Sequence, residues 1–488
     1  MNENGKSVKK KVVSGLFWKF SERMAAQIVS LVVSIILARL LMPEDYGAVS
    51  LVTIFITIAN VFVSEGFGVA LIQKKDADDI DFSTVFYFGI AFSVVVYVIF
   101  FFLAVPIAEF YNLPILVPVL RVLSLRIPVA AINSVQQAYV SRQMIFKKFF
   151  FSTMFGTVIS AIIGIVMAYY GFGIWALVAQ YMINTIMGTI VLFITVKWRP
   201  QLAFSFERLK ALFKYGWKLL TRSLLLTLYS NLRSLTIGKF YTSTDLAYYN
   251  KGSQFPNLII TNVDSAINST LFPAMSQEQN SLERVKALAR RTTQLSSYII
   301  CPLLIGFAAV ADAFVVVVLT EKWLPIVPYL RIICFNLLCR PAQTAMLQAI
   351  KSVGRSDAVL KMDIPVRLFG IATLLLALRH GVLYIALTEV MVGIFGVILY
   401  SGVCQKIVGY NVGEVFRDFG ENVIEALMMG IVVWGFDYFT AFHPFITLVS
   451  QIILGAISYG LFSILFKNKN FTYLKSEILK ILHKKKLA

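Results

Sequence analysis

Basic and amide side chains recur at helical spacing inside otherwise apolar stretches of this chain. Lys19, Arg23 and Gln27 follow one another at four-residue steps within the apolar stretch 13–38. At about 100° per residue, this spacing places all three on one side of a helix. Ammonium and guanidinium groups on one helix face are suited to an anionic group such as a phosphate or a diphosphate. The stretch therefore predicts an anion-binding helix face.

A second stretch, 211–240, carries the same kind of stripe. Lys218, Arg222 and Arg233 fall within about 60° of one another at helical spacing. A Lys or Arg at the centre of a membrane span costs roughly 2.5–3.5 kcal/mol, so such residues usually face a bundle interior or a watery cavity. Near a span end the side chain can instead extend to the membrane surface, and this alternative stays open for Lys19 and Lys218.

Uncharged polar residues extend the predicted cavity. In the stretch 46–70, Thr57, Asn60 and Ser64 align, and Asn133 and Gln137 align in the stretch 115–140. Amides and hydroxyls suit the hydroxyl groups of sugars. The sequence thus predicts a hydrated substrate cavity, with Glu65 as its gate. Its predicted lining comprises Arg23, Arg222, Arg233, Lys19, Lys218, Lys251, Asn60 and Gln27.

No constellation in the sequence points to catalysis. The one dense carboxylate cluster, Asp76 to Asp81, occupies a loop too short for a nucleotide-binding domain, and a solvated loop with a helix cap is the better interpretation. The 3 histidines and 4 cysteines show no metal-ligand or disulfide spacing, and no phosphate-binding loop occurs. We therefore expect no catalytic residue, no metal, no cofactor and no enzymatic activity.

The elements that must position these residues are membrane-spanning helices. Of the 488 residues, 58% are apolar and 15% are charged, whereas soluble chains have roughly 25% charged residues. Apolar stretches of about 20 residues, the length that crosses a bilayer as a helix, follow one another with short Pro- or Gly-marked connections. The predicted fold class is an all-α integral membrane protein with about 14 transmembrane helices.

The charge distribution predicts the orientation. The net charge of +19 would suggest nucleic acid as the partner of a soluble protein, but here it fits the rule that cytoplasmic loops are basic. Most Lys and Arg residues outside the spans fall on the side that holds the N-terminus, so both termini are predicted to be cytoplasmic. The loops of the opposite side hold only Arg39, Lys239, Lys322 and Arg379.

An internal repeat predicts the domain organisation. The segment LPILVPVLRVLSL at 113–125 resembles LPIVPYLRIICF at 324–335, and Arg23 matches Arg222 at a similar offset, as Asp45 matches Asp245. Two copies of a six-helix unit in the same orientation would enclose a substrate site at their interface. We predict an N-terminal lobe at 1–200, a C-terminal lobe at 201–410, two additional helices at 411–466 and a basic cytoplasmic tail at 467–488.

Several short segments resemble one transporter family. LARLLMPEDYG at 37–47, GFGVALIQ at 66–73, GFGIWAL at 171–177, AYYN at 247–250 and LFPAMS at 271–276 follow in the order and spacing of bacterial polysaccharide transporters. The chain is similar to the Wzx-type oligosaccharide flippases of the multidrug/oligosaccharidyl-lipid/polysaccharide exporter superfamily. The likeness is greatest to the branch associated with capsule, colanic-acid-like and teichuronic-acid-like polymers.

This resemblance implies two lobes that alternate access to a cavity in the bacterial cytoplasmic membrane. The implied cargo is a short oligosaccharide on a polyprenyl diphosphate, moved outward for capsule, exopolysaccharide or O-antigen-type (lipopolysaccharide) synthesis. Membrane lipid and polysaccharide polymerase or assembly proteins are the implied partners, and nucleic acid is not. In related flippases, cations on the first and the seventh or eighth helices line the cavity, which fits Arg23, Arg222 and Lys251.

Two other functions remain as alternatives. A cation-coupled multidrug exporter of the same superfamily would favour acidic cavity residues, whereas the stripes here are basic. A membrane-embedded glycan polymerase or transferase would need a catalytic cluster, which the sequence lacks. The glycan, the driving force and the oligomeric state do not follow from the sequence.

Overall fold

The computed structural model describes residues 3–65, 67–439 and 442–476, and all regular secondary structure within these ranges is helical. The first half contains α1 (Glu3–Leu40), α2 (Pro43–Asn60), a π-helical turn (Val61–Glu65), α3 (Phe67–Gln73), α4 (Asp79–Tyr111), α5 (Leu116–Ser124), α6 (Arg126–Gln143), α7 (Lys147–Tyr169), α8 (Ile174–Thr195) and α9 (Phe206–Phe240). The second contains α10 (Ser243–Gln277), α11 (Leu282–Ala309), α12 (Ala311–Val318), a 3₁₀ turn (Glu321–Ile326), α13 (Val327–Leu337), α14 (Arg340–Ser352), α15 (Ser356–Ala377), α16 (Val382–Val408), α17 (Val412–Phe439) and α18 (Pro444–Leu465).

Eleven helical stretches among these described residues are long and apolar enough to cross a membrane. The other three predicted spans fall on α9, α10 and α15, which are helices of 35, 35 and 22 residues. These three carry charged and amide side chains along much of their length, so their composition alone does not mark them as spans. The all-helical class with many apolar helices is confirmed, and the number fourteen stays a prediction.

Residues that match in the internal repeat have the same local role. The Met42 backbone N–H donates to Asp45 Oδ2 at 3.3 Å, and the Thr242 N–H donates to Asp245 Oδ2 at 3.2 Å. Each aspartate thus satisfies a backbone donor just before a long helix, α2 or α10. The shared capping explains why the sequence has an aspartate at both places.

The matched arginines Arg121 and Arg331 also make equivalent contacts. Arg121 Nε donates to the backbone carbonyl of Phe101 at 3.3 Å, and Arg331 Nε donates to that of Ala308 at 3.1 Å. Both arginines therefore use their guanidinium group to satisfy a carbonyl on the preceding long helix. The spans that hold them are each broken near the middle, between α5 and α6 and between α13 and α14.

The described helices form two compact units, residues 1–247 and residues 248–488. In the first, one end of the core contains Phe82 and Trp198 together with Leu209 and Leu212 of α9. Packing in lipid depends on close van der Waals contact and hydrogen bonds, because the surroundings are as apolar as the core. By its packing, α9 is therefore part of the first unit.

Hydrogen bonds and a glycine attach α9 and its leading segment to the first unit. In the segment between α8 and α9, the Gln201 and Ser205 backbone N–H groups donate to Ser83 Oγ (2.9 Å) and Thr84 Oγ1 (3.1 Å) on α4. At the opposite end, a Cβ on Gly238 would lie 2.5 Å from Leu51 Cδ2, so the glycine lets α9 approach the Leu51 side chain of α2 closely. The helix is held at both ends.

In the second unit, buried polar contacts hold α17 against α11. Arg290 Nε and Nη2 donate to the two oxygens of Asp418 at 2.7 and 2.8 Å, and Asn422 Nδ2 donates to Ser297 Oγ at 2.7 Å. A bidentate arginine–carboxylate pair fixes both distance and orientation. The first of the two C-terminal helices is thus firmly attached to the body of its unit.

Candidate functional site

A polar cavity of about 620 Å³ lies within the first unit. α2, the π-helical turn, α3, α6, α7, α8 and α9 all contribute to its wall, and none of the described wall residues is charged. The polar residues of the wall are Thr57, Asn60, Ser64, Asn133, Ser134, Gln137, Ser141, Ser152, Thr153, Asn184, Thr185 and Thr227.

The amides on α6 are oriented by a chain of hydrogen bonds. Asn133 Nδ2 donates to Thr189 Oγ1 on α8 at 2.9 Å, and Gln137 Nε2 donates to Asn133 Oδ1 at 2.8 Å. Asn133 thus uses both its donor and its acceptor within the protein. The side-chain network holds this wall in one arrangement, which is the condition for selective recognition of hydroxyl groups.

Small residues bring α7 and α8 close together beside the cavity. A Cβ on Gly156 would lie 2.9 Å from the Asn184 carbonyl oxygen and 3.2 Å from the Gly188 nitrogen, so glycine is required at the crossing. Ser152 Oγ donates to the Gly188 carbonyl at 2.6 Å. Such close approach is typical of helix pairs in membranes. It brings the polar side chains of both helices onto one wall.

Asn60 offers an acceptor without a partner. Its Oδ1 atom is buried and accepts no hydrogen bond from any described residue, and the same holds for Oε1 of Gln27 on α1. A buried acceptor without a donor costs about 1–3 kcal/mol, so a ligand hydroxyl or a water would satisfy it. Asn60 directly precedes the π-helical turn Val61–Glu65, a type of turn often found at functional sites. The Glu65 side chain lies outside the described residues, and its gating role stays a prediction.

The cations predicted on α1 lie outside the cavity wall. Lys19 and Arg23 are exposed, and Lys19 Nζ lies 5.6 Å from the centre of the Phe146 ring. Glu22, between them in sequence, accepts a hydrogen bond of 2.8 Å from Thr153 Oγ1 on the wall. The basic side chains of α1 therefore lie near α7, which contributes Thr153 to the wall, but they do not line the cavity themselves.

The cations predicted on α9 also face away from the cavity. Lys218 and Arg222 are exposed, and Arg233 is half-buried. At helical spacing Lys218 lies on the side opposite Leu209 and Leu212, which pack into the core, and Arg222 lies beside Lys218. Of the α9 residues, Thr227 reaches the wall. The predicted set is thus divided: Asn60 lies on the wall, Lys218 and Arg222 are exposed on α9, and Arg233 is half-buried with an enclosed Nε atom.

Lys251 lies in the second unit and is only 5% exposed. Its Nζ atom is 5.8 Å from the centre of the Trp323 ring, an aromatic face that attracts a cation. The structure therefore places its charge inside the packed unit rather than on an open wall, and its substrate role stays a prediction.

The sequence interpretation missed the polar residues of α7 and α8. Ser152, Thr153, Asn184 and Thr185 stand in apolar stretches beside small residues and were not assigned to any stripe. The sequence does contain a pattern that indicates a polar, closely packed face on α8, because Asn184 and Gly188 are four residues apart and so share a helix face. Which face turns inward is set by the α7–α8 crossing, which no local pattern specifies.

The carboxylate cluster caps a helix and forms ion pairs. Asp78 is the N-cap of α4 and accepts a hydrogen bond of 3.0 Å from the Asp81 N–H, while Lys74 pairs with Asp81 at 2.6 Å. Arg208 pairs with Asp78, and its hydrogen bond lowers the pKa of Asp78 to about 2. In the described part of the chain, no group of three or more His, Cys, Asp and Glu residues could hold a metal ion.

Comparison with known sequences identifies a family and several relatives. The sequence model described as "Polysaccharide biosynthesis protein" matches residues 36–328. Teichuronic acid biosynthesis protein TuaB of Bacillus subtilis is 25% identical over 93% of this chain and 95% of its own length. Lipopolysaccharide biosynthesis protein WzxC of Escherichia coli is 23% identical over 73% of each chain. Succinoglycan biosynthesis transport protein ExoT of Rhizobium meliloti is 24% identical over 66% of this chain and 65% of its own.

Comparison with solved structures shows the same fold in two transporters. A lipid II flippase MurJ in an inward closed conformation superposes with a TM-score of 0.74 and 15% identity, over 93% of this chain and 99% of that one. An inward-facing multidrug resistance MATE family transporter of the MOP superfamily gives a TM-score of 0.59 at 15% identity, over 80% and 96%. At such identities the likeness concerns the fold alone.

Proposed function

Because the chain belongs to the polysaccharide biosynthesis protein family, we propose that it is a flippase for a lipid-linked oligosaccharide. It carries a short glycan on a polyprenyl diphosphate from the inner to the outer leaflet of the bacterial cytoplasmic membrane. The relatives TuaB, ExoT and WzxC are named for the biosynthesis of teichuronic acid, succinoglycan and lipopolysaccharide, which supports a role in glycan export rather than a role in one particular glycan.

The polar cavity of the first unit is the observation that carries this proposal. It is large, uncharged and lined by amides and hydroxyls, the groups that exchange hydrogen bonds with sugar hydroxyls. Asn60 supplies an acceptor, and Asn133 and Gln137 form an ordered amide network beside it. A site for a cationic drug would instead present carboxylates.

In our proposal, the basic side chains bind the diphosphate part of the substrate. Arg23 and Arg222 contact the diphosphate, aided by Lys19, Lys218, Arg233 and Lys251, while Gln27 and Asn60 contact sugar and the prenyl chain stays in the lipid. The transporter then changes from inward-open to outward-open by alternating access, with Glu65 at the gate. The energy comes from a membrane potential, an ion gradient or removal of the product.

The membrane arrangement that we propose has fourteen spans and both termini in the cytoplasm. Two six-helix repeats, 1–200 and 201–410, precede two additional helices at 411–466 and a cytoplasmic tail. The equivalent caps of Asp45 and Asp245 and the equivalent bonds of Arg121 and Arg331 support the repeat. The packing of α9 with the first unit means that the repeat boundary and the packing boundary differ.

The decisive experiment follows the leaflet in which the lipid-linked oligosaccharide accumulates. In a strain that lacks the protein, we expect intact oligosaccharide on the cytoplasmic face, inaccessible to an added lectin or glycosidase. Wild type restores access, and the R23A/R222A variant does not, although it reaches the membrane at the same level. The control R284A/R355A removes two exposed arginines elsewhere and restores access.

Outer-leaflet exposure in the deletion strain would overturn the proposed cargo. The drug-exporter alternative then becomes the leading one, and the drug sensitivity of the same strain tests it directly. If R23A/R222A restores access, the proposed cargo stands, but the assignment of the two arginines to diphosphate binding is refuted.

A further inference from the structure

Four basic residues follow one another at four-residue steps on α9. Lys210, Lys214, Lys218 and Arg222 are all exposed, and we call them the basic ladder. Four residues advance an α-helix by about 6 Å and turn it by only about 40°, so neighbouring members of the ladder lie side by side. The ladder extends over about 18 Å, from the first turns of α9 towards its middle.

The ladder differs from the neighbouring Arg208 in its electrostatic surroundings. Arg208 pairs with Asp78 and lies 3.5 Å from Asp81, so its charge is compensated within the protein. The four ladder residues form no ion pair with any described residue. Glu207 lies on the same helix face, and four positive charges against its single carboxylate leave this face net positive, which attracts a multiply charged anion more strongly than a single cation would.

The start of the ladder lies in a shallow groove that contains exposed aromatic side chains. This groove of about 530 Å³ is lined by Glu207, Lys210, Ala211, Phe213, Lys214 and Trp217. Phe213 and Trp217 are 51% and 46% exposed. Lysine beside tryptophan is typical of the membrane–water interface, where a side chain contacts both hydrocarbon and charged groups.

We propose that the basic ladder is the loading track for the diphosphate of a prenyl-linked sugar. The diphosphate first binds Lys210 and Lys214 beside Trp217, and it then advances along α9 to Lys218 and Arg222. This inference rests on the proposed function and adds two residues, Lys210 and Lys214, to its substrate contacts. A diphosphate has oxygens at both ends, so it contacts the next cation before it leaves the last one.

A binding experiment on the purified full-length chain tests the track. The protein is placed in nanodiscs of neutral phosphatidylcholine and titrated with farnesyl diphosphate, farnesyl monophosphate and farnesol. We expect K210Q/K214Q to bind farnesyl diphosphate more weakly by about fivefold for each lysine lost, the usual contribution of one basic residue near a lipid surface. The monophosphate is expected to lose less, and farnesol is expected to be unaffected.

The control K351Q/K361Q removes two exposed lysines from the second unit. It is expected to bind all three probes as wild type does. Thermal unfolding of each variant identifies loss of folded protein, and K214R, which keeps a positive charge, serves as the conservative variant and is expected to retain most of the affinity. An unchanged affinity of K210Q/K214Q for farnesyl diphosphate would overturn the proposal.

Three further outcomes distinguish this proposal from general anionic-lipid binding and from the proposed function. If K210Q/K214Q loses affinity for phosphatidylglycerol nanodiscs as much as for farnesyl diphosphate, the face binds anionic lipid in general and the track is refuted. If the leaflet experiment refutes the flippase, the titration still measures the ladder independently. If wild type exposes the oligosaccharide and K210Q/K214Q does so at the same rate with limiting substrate, the flippase stands and the track falls.

Discussion

The polar cavity and the exposed face of α9 accommodate polar groups in opposite ways, although both must limit the cost of removing such groups from water. In the cavity, amides and hydroxyls are uncharged and are tied to one another, as with Asn133 and Thr189. On α9, Lys210, Lys214, Lys218 and Arg222 keep whole charges, and their side chains are exposed. Burying an ionised group costs far more than burying an amide that keeps its hydrogen bonds. The difference teaches that the cavity network contributes to stability as well as to the recognition that we propose, whereas the exposed basic face can be altered with little effect on stability.

The most severe test of this comparison is Gly156→Leu at the α7–α8 crossing. The new side chain meets backbone atoms of Asn184 and Gly188 within about 3 Å, so the helices must separate. Overpacking of this kind costs about 1–3 kcal/mol. We expect a lower thermal unfolding temperature and loss of transport. Gly89→Leu on α4, where an added Cβ meets nothing within 4 Å, is the matched control. Equal unfolding temperatures for the two variants would contradict the requirement for glycine.

Asn133→Leu tests the amide network of the cavity. The variant removes the hydrogen bonds that Asn133 makes with Thr189 and Gln137, each worth about 0.5–1.5 kcal/mol in the free energy of unfolding. We expect reduced stability and reduced exposure of oligosaccharide in the leaflet assay. The control is Asn257→Leu, since that exposed amide donates to a carbonyl of its own helix at 2.8 Å. Full stability in Asn133→Leu would show that the network does not hold the wall.

Arg222→Gln tests the other side of the comparison. Because Arg222 is exposed, its loss is expected to change the free energy of unfolding by less than about 0.5 kcal/mol. Transport in the leaflet assay should nevertheless fall strongly, and Arg222→Lys should recover part of it because the charge remains. A variant that loses transport and stability together would place Arg222 with the cavity residues rather than with a recognition face.

The smallest effect is expected from Asp78→Asn, which releases the compensated cation Arg208. The pKa of Asp78 is lowered to about 2 from an ordinary value of about 3.9, so the charged carboxylate is the form that stabilises the folded protein. Its contribution is complete above about pH 4 and is lost as the pH falls towards 2. Because the pair is exposed, we expect at most about 1 kcal/mol, and less in high salt.

The stability difference between wild type and Asp78→Asn should therefore shrink when unfolding is measured at decreasing pH. Asp76→Asn, an exposed carboxylate of the same loop, is the control. A difference that grows on acidification would mean that Asp78 is stabilised in its protonated form, contrary to its pairing with Arg208.

Much of the fold and part of the site could be predicted from the sequence. Apolar stretches of span length specify helices because no other open structure satisfies the backbone in lipid. The stripes on α2 and α6 could be predicted as polar helix faces, and Asn60, Asn133 and Gln137 do share one cavity. Their meeting there depends on tertiary packing, which periodicity does not contain.

Two features could not be predicted for identifiable reasons. The wall residues of α7 and α8 are small and polar, so they resemble residues that merely permit close helix packing. The sequence repeat places α9 at the start of the second copy, whereas α9 packs with the first unit, and the sequence alone does not specify that packing. A sequence repeat shows which segments of the chain are similar, whereas the packing of a helix depends on which side-chain surfaces are complementary.

The attachment of α9 to the first unit also sets an order for biosynthesis. A chain is made from its N-terminus, and domains generally fold as they emerge. Leu209 and Leu212 belong to the same core as Phe82 and Trp198, so the ribosome must pass α9 before that core can close. The helices α1 to α8 therefore remain incompletely packed at this core until α9 has been synthesised.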